Sequence, residues 1–354
     1  MGAYQTVKKG TTNITSDAFL AKFTINGKLI WATYYGGDEE DDAYGVATDI
    51  SGNVYITGYT QSDSGIATSG AYQTSYSGTG DAFLAKFNGS GNILWATYYG
   101  GNNTTGSSSD EVNGICIDVS GNVYIASETS STNGIASSGA FQTSNAGNVD
   151  AFLAKFSSSG VRLWATYYGG ANPDAACRII TDTYGNVYMT GYTSSNNGIA
   201  TSDAHQLFLD GPEDAFLAKF SSSGTRLWAT YYGGFNSEQA FGICSNASGD
   251  IYITGFTGSK INFATSGAYQ TSFGGGYEDA FIAKFSSLGN LAWSTYFGGN
   301  GLDYGWGICT DITGNIYLTG VTESTNNIST SGAYQVSHSG LLGDAFLEKF
   351  NFPF

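Results

Sequence analysis

The sequence predicts an all-β chain built from repeated four-stranded units, and three observations support this prediction. The 354 residues include 51 Gly, 25 Tyr and 22 Phe, with only 3 Pro and 12% charged residues. This composition is typical of short strands joined by turns. No segment has sustained helical periodicity. One short segment also recurs along the whole chain at nearly constant spacing, which indicates a repeat architecture.

The recurring segment is Asp-Ala-Phe-Leu-Ala-Lys-Phe or a close variant of it. Its six copies are separated by 64, 69, 64, 65 and 65 residues and lie at 17–23, 81–87, 150–156, 214–220, 279–285 and 344–350. The first five copies are each followed by a turn and then by Trp-Ala-Thr-Tyr-Tyr-Gly-Gly or a near copy. We expect the repeated Asp and Lys, such as Asp17 and Lys22, to form a structural ion pair or a loop cap.

Each repeat contains four candidate strands, which we label A, B, C and D. In the first repeat unit, strand A is Gly-Val-Ala-Thr-Asp and strand B is Asn-Val-Tyr-Ile-Thr-Gly. The recurring segment is strand C, and the Trp-Ala-Thr-Tyr-Tyr segment is strand D. Strands A and B are joined by Asp-x-Ser-Gly-Asn, in which Asp closes an Asx turn and Gly supplies a positive φ. Four antiparallel strands per repeat, with no helix between repeats, predict a β-propeller blade rather than a solenoid coil.

These motifs resemble the bacterial β-propeller repeat called SBBP. The resemblance rests on Asp-Ala-Phe-x-Ala-Lys, on Trp-x-Thr-Tyr-x-Gly-Gly and on Asp-x-x-Gly-Asn-x-Tyr-x-Thr-Gly, and it covers all but the two ends of the chain. It implies a propeller fold. It implies no single activity, because such repeats occur in many secreted bacterial proteins that share no activity.

Strand counting predicts one domain over 1–354 with five blades. Strands A, B and D occur five times each and strand C six times. The repeat units are expected at 36–100, 101–170, 171–234, 235–299 and 300–350, the last being completed by 17–36. The N-terminal strand D would then close the ring, and the strands C at 17–23 and 344–350 would compete for one position. The spare strand could pair with a neighbouring molecule. An open fragment of a larger ring is the alternative.

One acidic residue per repeat precedes strand A. These residues stand eight positions before the residue that opens the A–B turn, and they are Asp41, Asp110, Asp174, Glu238 and Asp303. We expect them near the mouth of a central channel, where a ring of carboxylates would attract a cation such as Ca²⁺. The alternative is that each acid caps its own D–A loop by accepting backbone N–H bonds. Recurrence in every repeat favours the cap, and no other cofactor is expected.

Departures from the repeat indicate where a binding site would lie. Arg178 stands where the other strands A carry glycine. We expect it to pair with Asp174 or another acid of the ring, or with an anionic group of a ligand. Trp306 is either a packing residue or a platform on which a sugar stacks. The candidate binding residues are therefore Arg178, Trp306 and Asp174.

The net charge of −16 argues against nucleic acid or an anionic membrane as a partner. No apolar run reaches the roughly 18 residues of a membrane span, and the start of the chain lacks the apolar segment of a signal peptide. The acidic composition, rich in Thr, Ser, Asn and Gly, is typical of a secreted protein. We therefore expect an extracellular or cell-surface location in a bacterium.

Three function hypotheses follow from these features. The favoured one is a non-enzymatic structural, assembly or adhesion module that links subunits through a spare strand. The alternative is a lectin-like propeller that binds a glycan or a protein through its long loops. A carboxylate-based glycosidase or lyase is the least favoured, because the chain has only two His and no recognisable nucleophile motif.

Overall fold

The computed structural model describes residues 3–10, 15–102, 110–340 and 342–351. Within these ranges the chain forms 21 strands and no helix, and neighbouring strands of each sheet pair antiparallel. The prediction of an all-β chain is therefore confirmed. No helix of the described ranges is long and apolar enough to cross a membrane.

The chain divides into two compact units. The first comprises Met1–Gly169, Thr183–Gly185 and Ser222–Thr225. Its strands are β1 (Ala18–Phe23), β2 (Leu29–Tyr35), β3 (Asp41–Thr48), β4 (Val54–Thr60), β5 (Asp81–Phe87), β6 (Ile93–Tyr99), β7 (Gly114–Ile117), β8 (Val123–Thr129), β9 (Asp150–Phe156) and β10 (Arg162–Tyr168). They form the hairpin β1–β2 and two four-stranded sheets, β3–β4–β5–β6 and β7–β8–β9–β10.

The second unit comprises Gly170–Asp182, Asn186–Ser221 and Arg226–Phe354. Its strands are β11 (Asp174–Thr181), β12 (Val187–Thr193), β13 (Asp214–Phe220), β14 (Arg226–Tyr232), β15 (Glu238–Ser245), β16 (Ile251–Thr257), β17 (Asp279–Phe285), β18 (Leu291–Phe297), β19 (Asp303–Thr310), β20 (Ile316–Thr322) and β21 (Asp344–Phe350). They form the sheets β11–β12–β13–β14, β15–β16–β17–β18 and β19–β20–β21.

Each four-stranded sheet has the predicted strand order A–B–C–D, and the A–B turn has the predicted chemistry. In the first sheet Asp49 Oδ1 accepts the backbone N–H groups of Ser51 and Asn53, both at 2.9 Å. Gly52 has φ +77°, which glycine adopts without steric cost. The Asx turn expected from Asp-x-Ser-Gly-Asn is therefore confirmed.

The last sheet has three strands among the described residues, and its completion by 17–36 stays a prediction. β21 holds its strand C position, so 344–350 rather than 17–23 fills that place. β1 instead pairs with β2, because a tight turn at Gly27 (φ +75°) joins these two neighbours in sequence into a hairpin. Ring closure by the N-terminal strand D stays a prediction.

Neighbouring repeats pack through aromatic side chains of strands C and D. In the first unit the ring of Tyr35 lies 5.1 Å from that of Phe83, and the ring of Tyr99 lies 5.4 Å from that of Phe152. In the second unit Phe297 lies 5.1 Å from Phe346. The phenylalanine of strand C thus faces strand D of the preceding repeat. Full burial of one such side chain stabilises the fold by about 1.5–3 kcal/mol.

The tryptophan of strand D makes a second contact between repeats. Trp31 Nε1 donates to the carbonyl of Gly89 at 3.2 Å, in the C–D turn of the next repeat. The indole ring also covers Gly91, where a Cβ would lie 2.9 Å from Trp31 Cδ2. The strand D tryptophan therefore packs between repeats, and this packing requires glycine in the turn.

We predict that Gly91→Ala destabilises the protein more than Gly52→Ala. Both glycines have positive φ, +83° and +77°, so each alanine adds about 1–2 kcal/mol of backbone strain. No atom lies within 4 Å of a Cβ at Gly52, whereas the Cβ at Gly91 overlaps Trp31, which adds about 1–3 kcal/mol. Urea unfolding followed by circular dichroism measures both losses. Equal losses would contradict the contact between Trp31 and Gly91.

Candidate functional site

The five acids predicted to form a ring are fully buried, with 0% of each residue exposed. Asp41 accepts hydrogen bonds from the backbone N–H of Gly37 at 2.7 Å, from Ser62 Oγ at 2.8 Å and from Thr60 Oγ1 at 2.5 Å. The equivalent backbone N–H donates to each of the other four acids, from Gly101, Gly170, Gly234 and Gly299. The interpretation of these acids as caps of the D–A loops is therefore confirmed.

The predicted cation site has no direct counterpart in this geometry. The described residues contain no group of three or more His, Cys, Asp or Glu side chains that could hold a metal ion. The carboxylate oxygens of Asp41, Asp110 and Asp174 instead accept hydrogen bonds from Thr and Ser hydroxyls of their own sheet. Binding of Ca²⁺ by Asp41, Asp110, Asp174, Glu238 and Asp303 stays a prediction.

A second buried carboxyl group lies beside the loop cap at the junction between repeats. A Cβ at Gly100 would lie 2.3 Å from Asp81 Oδ1 and 2.8 Å from Asp110 Oδ2, so both carboxyl groups flank this glycine. The same arrangement places Asp214 beside Glu238 in the second unit. These pairs were not predicted from the sequence, although a signal existed, since a Gly-Gly pair follows every strand D that precedes a capping acid.

Burial within these pairs changes the acidity of the strand C aspartates. Burial, to which the charge of Asp110 adds, raises the pKa of Asp81 to about 8. Burial together with the Glu238 or Asp303 carboxylate raises the pKa of Asp214 and of Asp279 to about 7. Asp81 Oδ1 is buried without a hydrogen-bond partner among the described atoms. Such burial costs less free energy for a protonated carboxyl group than for a charged carboxylate. We therefore expect Asp81 to keep its proton at neutral pH.

The lysine of strand C does not pair with the aspartate of the same strand. Lys86 Nζ lies 3.6 Å from Asp49 Oδ2 in the A–B turn and donates to the carbonyl of Ser158 at 3.0 Å. Asp81 instead accepts from Gln73 Nε2 at 2.7 Å and so caps the B–C loop. Of the two alternatives for the Asp17/Lys22-type residues, the loop cap is confirmed for Asp81. The ion pair within strand C is wrong, because Asp81 begins the strand and Lys86 lies near its other end, so that the two groups reach different turns.

Arg178 and Trp306 both lie at a β-bulge of strand A. The register shifts between Ala176 and Arg178 in β11, and between Gly305 and Gly307 in β19. Arg178 is exposed and donates to the carbonyl of Cys177 at 2.9 Å. Asp174 is buried in its own loop, where Ser195 Oγ donates to it at 2.8 Å. Of the three predicted binding residues, Asp174 is therefore a buried loop cap. Arg178 and Trp306 lie on different sheets.

Trp306 belongs to an aromatic cluster in the second unit. Its ring stacks on that of Phe241, with centroids 4.4 Å apart and planes inclined by 15°, and half of the Trp306 residue (50%) is exposed. Phe256 lies 5.8 Å from Phe241 and 5.3 Å from Tyr304. Phe241 and Trp306 occupy the bulge position of successive strands A. A bulge changes the direction of the side chain at that position, which allows the two rings to stack. Trp306 was predicted from the sequence as a candidate binding residue, but its partner Phe241 was not.

A family model supports the repeat assignment. The segments 30–65, 94–135, 163–199 and 292–328 match the SBBP model, described as a beta-propeller repeat. Each matched segment runs from strand D of one repeat through strands A and B of the next. These four segments therefore match SBBP β-propeller repeats, and the predicted resemblance is confirmed.

Comparison with individual proteins gives remote similarities. The chain is 23% identical over 200 residues to an uncharacterised WD repeat-containing protein of Acanthamoeba polyphaga mimivirus, a match that covers 48% of this chain and 14% of the relative. A protein of unknown function from Dyadobacter fermentans aligns at 11% identity with a TM-score of 0.40, over 79% of this chain and 74% of that chain. The WD40 β-propeller domain of Doa1 aligns at 12% identity with a TM-score of 0.24, over 78% and 89%. At these TM-scores neither structure bears on function.

We predict that the free energy of unfolding falls as the pH rises from about 4 to about 8, and that Asp81→Asn makes this fall smaller. A carboxyl group whose pKa is raised in the folded state binds its proton more tightly there than in the unfolded chain. Its stabilising effect is complete below the unfolded pKa, near 4, and is lost as the pH passes the folded value of about 8. One such group changes the slope by at most about 1.4 kcal/mol per pH unit.

Urea unfolding at several pH values between 5 and 9 measures this slope. Asp344→Asn is the matched control, because Asp344 holds the same repeat position in the last sheet but is partly exposed, and hydrogen bonds from Ser339 lower its pKa. We expect this control to leave the slope above pH 5 unchanged. The same slope in Asp81→Asn as in the unsubstituted protein would contradict a protonated Asp81.

Proposed function

We propose that this chain is a secreted, non-enzymatic repeat scaffold of the bacterial cell surface that assembles end to end with further copies of itself. The observation that carries the proposal is the exposure, on the first hairpin and on the last sheet, of side chains that every inner repeat buries. No enzymatic activity is proposed, because the buried carboxyl groups recur as loop caps in successive repeats rather than as one asymmetric cluster.

The hairpin β1–β2 exposes the phenylalanines of its strand C. Phe19 is 73% and Phe23 57% exposed, whereas Phe83 and Phe87, at the same positions of the next repeat, are fully buried. Phe83 owes its burial to Tyr35, which belongs to strand D of the preceding repeat. The face formed by Phe19 and Phe23 is therefore one half of a repeat interface.

The last sheet exposes the opposite half. Leu347 of β21 is 72% exposed, whereas Leu84, Leu153 and Leu217 at the same repeat position are fully buried. In the first unit Leu84 shares its core cluster with Phe152 of the following repeat. The leucine side of one end and the phenylalanine side of the other end thus have the chemistry that packs together inside the chain. A second copy of the chain offers both faces, and this complementarity supports self-assembly rather than capture of an unrelated partner.

We predict that the mass of the purified chain in solution rises with protein concentration, and that Leu347→Ser reduces the association at least about tenfold. Burying one leucine contributes about 1.5–3 kcal/mol, and a tenfold change in affinity corresponds to about 1.4 kcal/mol. The double substitution of Phe19 and Phe23 by serine is expected to act in the same way from the other end. Sedimentation equilibrium over a hundredfold range of concentration gives the masses.

Ile312→Ser is the control for general loss of surface hydrophobicity. Ile312 lies in an A–B turn and is 100% exposed, outside both end faces. We expect this variant to associate like the unsubstituted chain. A monomer at every concentration, or equal weakening by Ile312→Ser and Leu347→Ser, would rule out assembly through the ends.

A second candidate function is recognition of a glycan at Trp306. The specific observation in its favour is the exposed stack of Trp306 on Phe241, since sugar rings pack on aromatic faces. The expected result is a glycan-array signal that Trp306→Ala abolishes and that Tyr184→Ala leaves intact, Tyr184 being 85% exposed in an A–B turn. An array without hits would remove this function.

A further inference from the structure

A pocket of about 300 Å³ lies between the two four-stranded sheets of the first unit. One side is formed by the B–C connection and strand D of the first of these sheets, through Tyr72, Leu94 and Trp95. The other side is formed by the C–D turn of the second sheet, through Val161 and Arg162. All of these residues belong to the first unit. Small-molecule pockets in proteins typically have volumes of about 300–1,000 Å³, and this pocket is at the lower end of that range.

Two partly exposed aromatic side chains line this pocket. The ring of Tyr72 lies at the contact between the two repeats, 6.2 Å from the ring of Tyr99 and 6.0 Å from that of Phe156. Trp95 is half-buried, and its Nε1 donates to the carbonyl of Ser158 at 3.0 Å. Both rings are therefore held by their neighbours and keep part of their surface open to the pocket. Fixed aromatic surfaces of this kind are suited to packing against the C–H face of a sugar ring.

Arg162 stacks on Tyr72 at the same pocket. The guanidinium carbon lies 4.5 Å from the centre of the Tyr72 ring. Arg162 Nη1 donates to the carbonyl of Gly134 at 3.2 Å and to that of Ile135 at 2.8 Å. Arginine carries five N–H donors, so these bonds leave the donors of Nη2 and Nε for further partners, of which the Tyr99 hydroxyl is one. The guanidinium is therefore held in one position with donors still available, which reduces the entropy cost of binding a ligand.

The positive charge of Arg162 is not neutralised by a carboxylate among the described residues. The ion pairs in this part of the chain join lysines of strand C to aspartates of the A–B turns, and none of them includes Arg162. The two carbonyl groups and the Tyr72 ring stabilise the cation but carry no net charge. The net charge of the whole chain is −16, but charges farther apart than about 8 Å are largely screened at physiological ionic strength. Arg162 therefore attracts an anionic group to this pocket at short range.

Strand pairing does not require arginine at this position. Ile93 in β6 and Leu291 in β18 hold the same place as Arg162 in β10, each opposite the final phenylalanine of strand C. These apolar side chains occupy the position without adding a charge. Arg226 in β14 is a second arginine at this place, and it also donates to two backbone carbonyls. The charge of Arg162 is therefore not needed for the repeat to form, which favours a role in binding.

We propose that this pocket binds an acidic saccharide, with a sugar ring packed on Trp95 and Tyr72 and the carboxylate of a hexuronic acid residue paired with Arg162. A guanidinium group and a carboxylate match each other through two parallel hydrogen bonds. The exposed hydroxyl of Ser69 also lines the pocket and is a partner for the hydroxyl groups of the sugar. The inference goes beyond end-to-end assembly. It also concerns a different site, and a charged ligand, from the glycan proposed at Trp306.

The test is isothermal titration calorimetry of the full chain with tetragalacturonic acid. The matched ligand is the same tetramer with its carboxyl groups converted to methyl esters, which keeps the sugar rings and removes the charges. We expect the acid to bind saturably and the ester to bind at least about tenfold more weakly, a loss of about 1.4 kcal/mol. This comparison uses the unsubstituted protein. Equal binding of acid and ester would overturn the pairing with Arg162 and would leave glycan recognition at Trp306 untouched.

Arg162→Leu locates the site, because leucine already stands at this position in β18 and is compatible with the repeat. We expect this variant to bind the acid at least about tenfold more weakly and to bind the ester like the unsubstituted chain. Arg162→Lys keeps the charge but loses the planar pair of donors, so its affinity for the acid should lie between the two. Lys28→Leu is the matched control, because it removes the same charge from an exposed turn outside the pocket. We expect it to bind the acid like the unsubstituted chain.

Two other outcomes overturn the inference outright. One is the absence of saturable binding at millimolar tetragalacturonic acid. The other is equal weakening by Arg162→Leu and Lys28→Leu, which would mean that the acid responds to overall charge rather than to this pocket. Binding of the acid by a chain that stays monomeric in sedimentation equilibrium would support the pocket and remove the proposed self-assembly. Assembly without binding of the acid would do the reverse.

Discussion

The contact between strand D of one repeat and strand C of the next is the interaction on which the rest of the structure depends. A single four-stranded sheet of this chain has two apolar faces and buries neither alone. Tyr35 against Phe83 in the first unit and Phe297 against Phe346 in the second are two instances of the same contact. Each repeat therefore contacts the next one through a tyrosine or phenylalanine of its strand D. It contacts the previous one through a phenylalanine of its strand C. A sheet without a neighbouring repeat leaves one of these aromatic faces exposed to solvent.

Polar groups fix the geometry at the same junction. The capping acid ties the loop that follows strand D to strand B, as Asp41 does through Gly37 and Thr60. The strand C aspartate ties the B–C loop, as Asp81 does through Gln73. Placing the two carboxyl groups side by side is costly when both are charged, and the raised pKa of Asp81 relieves that repulsion at neutral pH. The two carboxyl groups of each pair thus hold the junction by hydrogen bonds to the loops. They can make these bonds when at most one of the two is charged.

Much of this architecture is visible in the sequence, because repetition reveals it. Strand order, the Asx turn at Asp49 and the loop caps at Asp41 and its equivalents follow from local rules about turns and alternating side chains. The acid pairs, the Lys86–Asp49 contact and the bulge at Trp306 do not, because they join residues that are distant in sequence or depend on strand register. The sequence also does not show which of the segments 17–23 and 344–350 is strand C of the last sheet. Both copies fit that position, and only the observed strand pairing distinguishes them.

Strand C at the two ends of the chain exposes side chains that the inner repeats bury, and native-state hydrogen exchange tests this difference most directly. Regions with fewer buried contacts open more readily than the core. We expect the strand C segments at 18–23 and 344–350 to exchange at least about tenfold faster than those at 81–87 and 279–285 in the dilute chain. Equal protection of all these segments in a dilute monomer would contradict the exposure of strand C at the two ends.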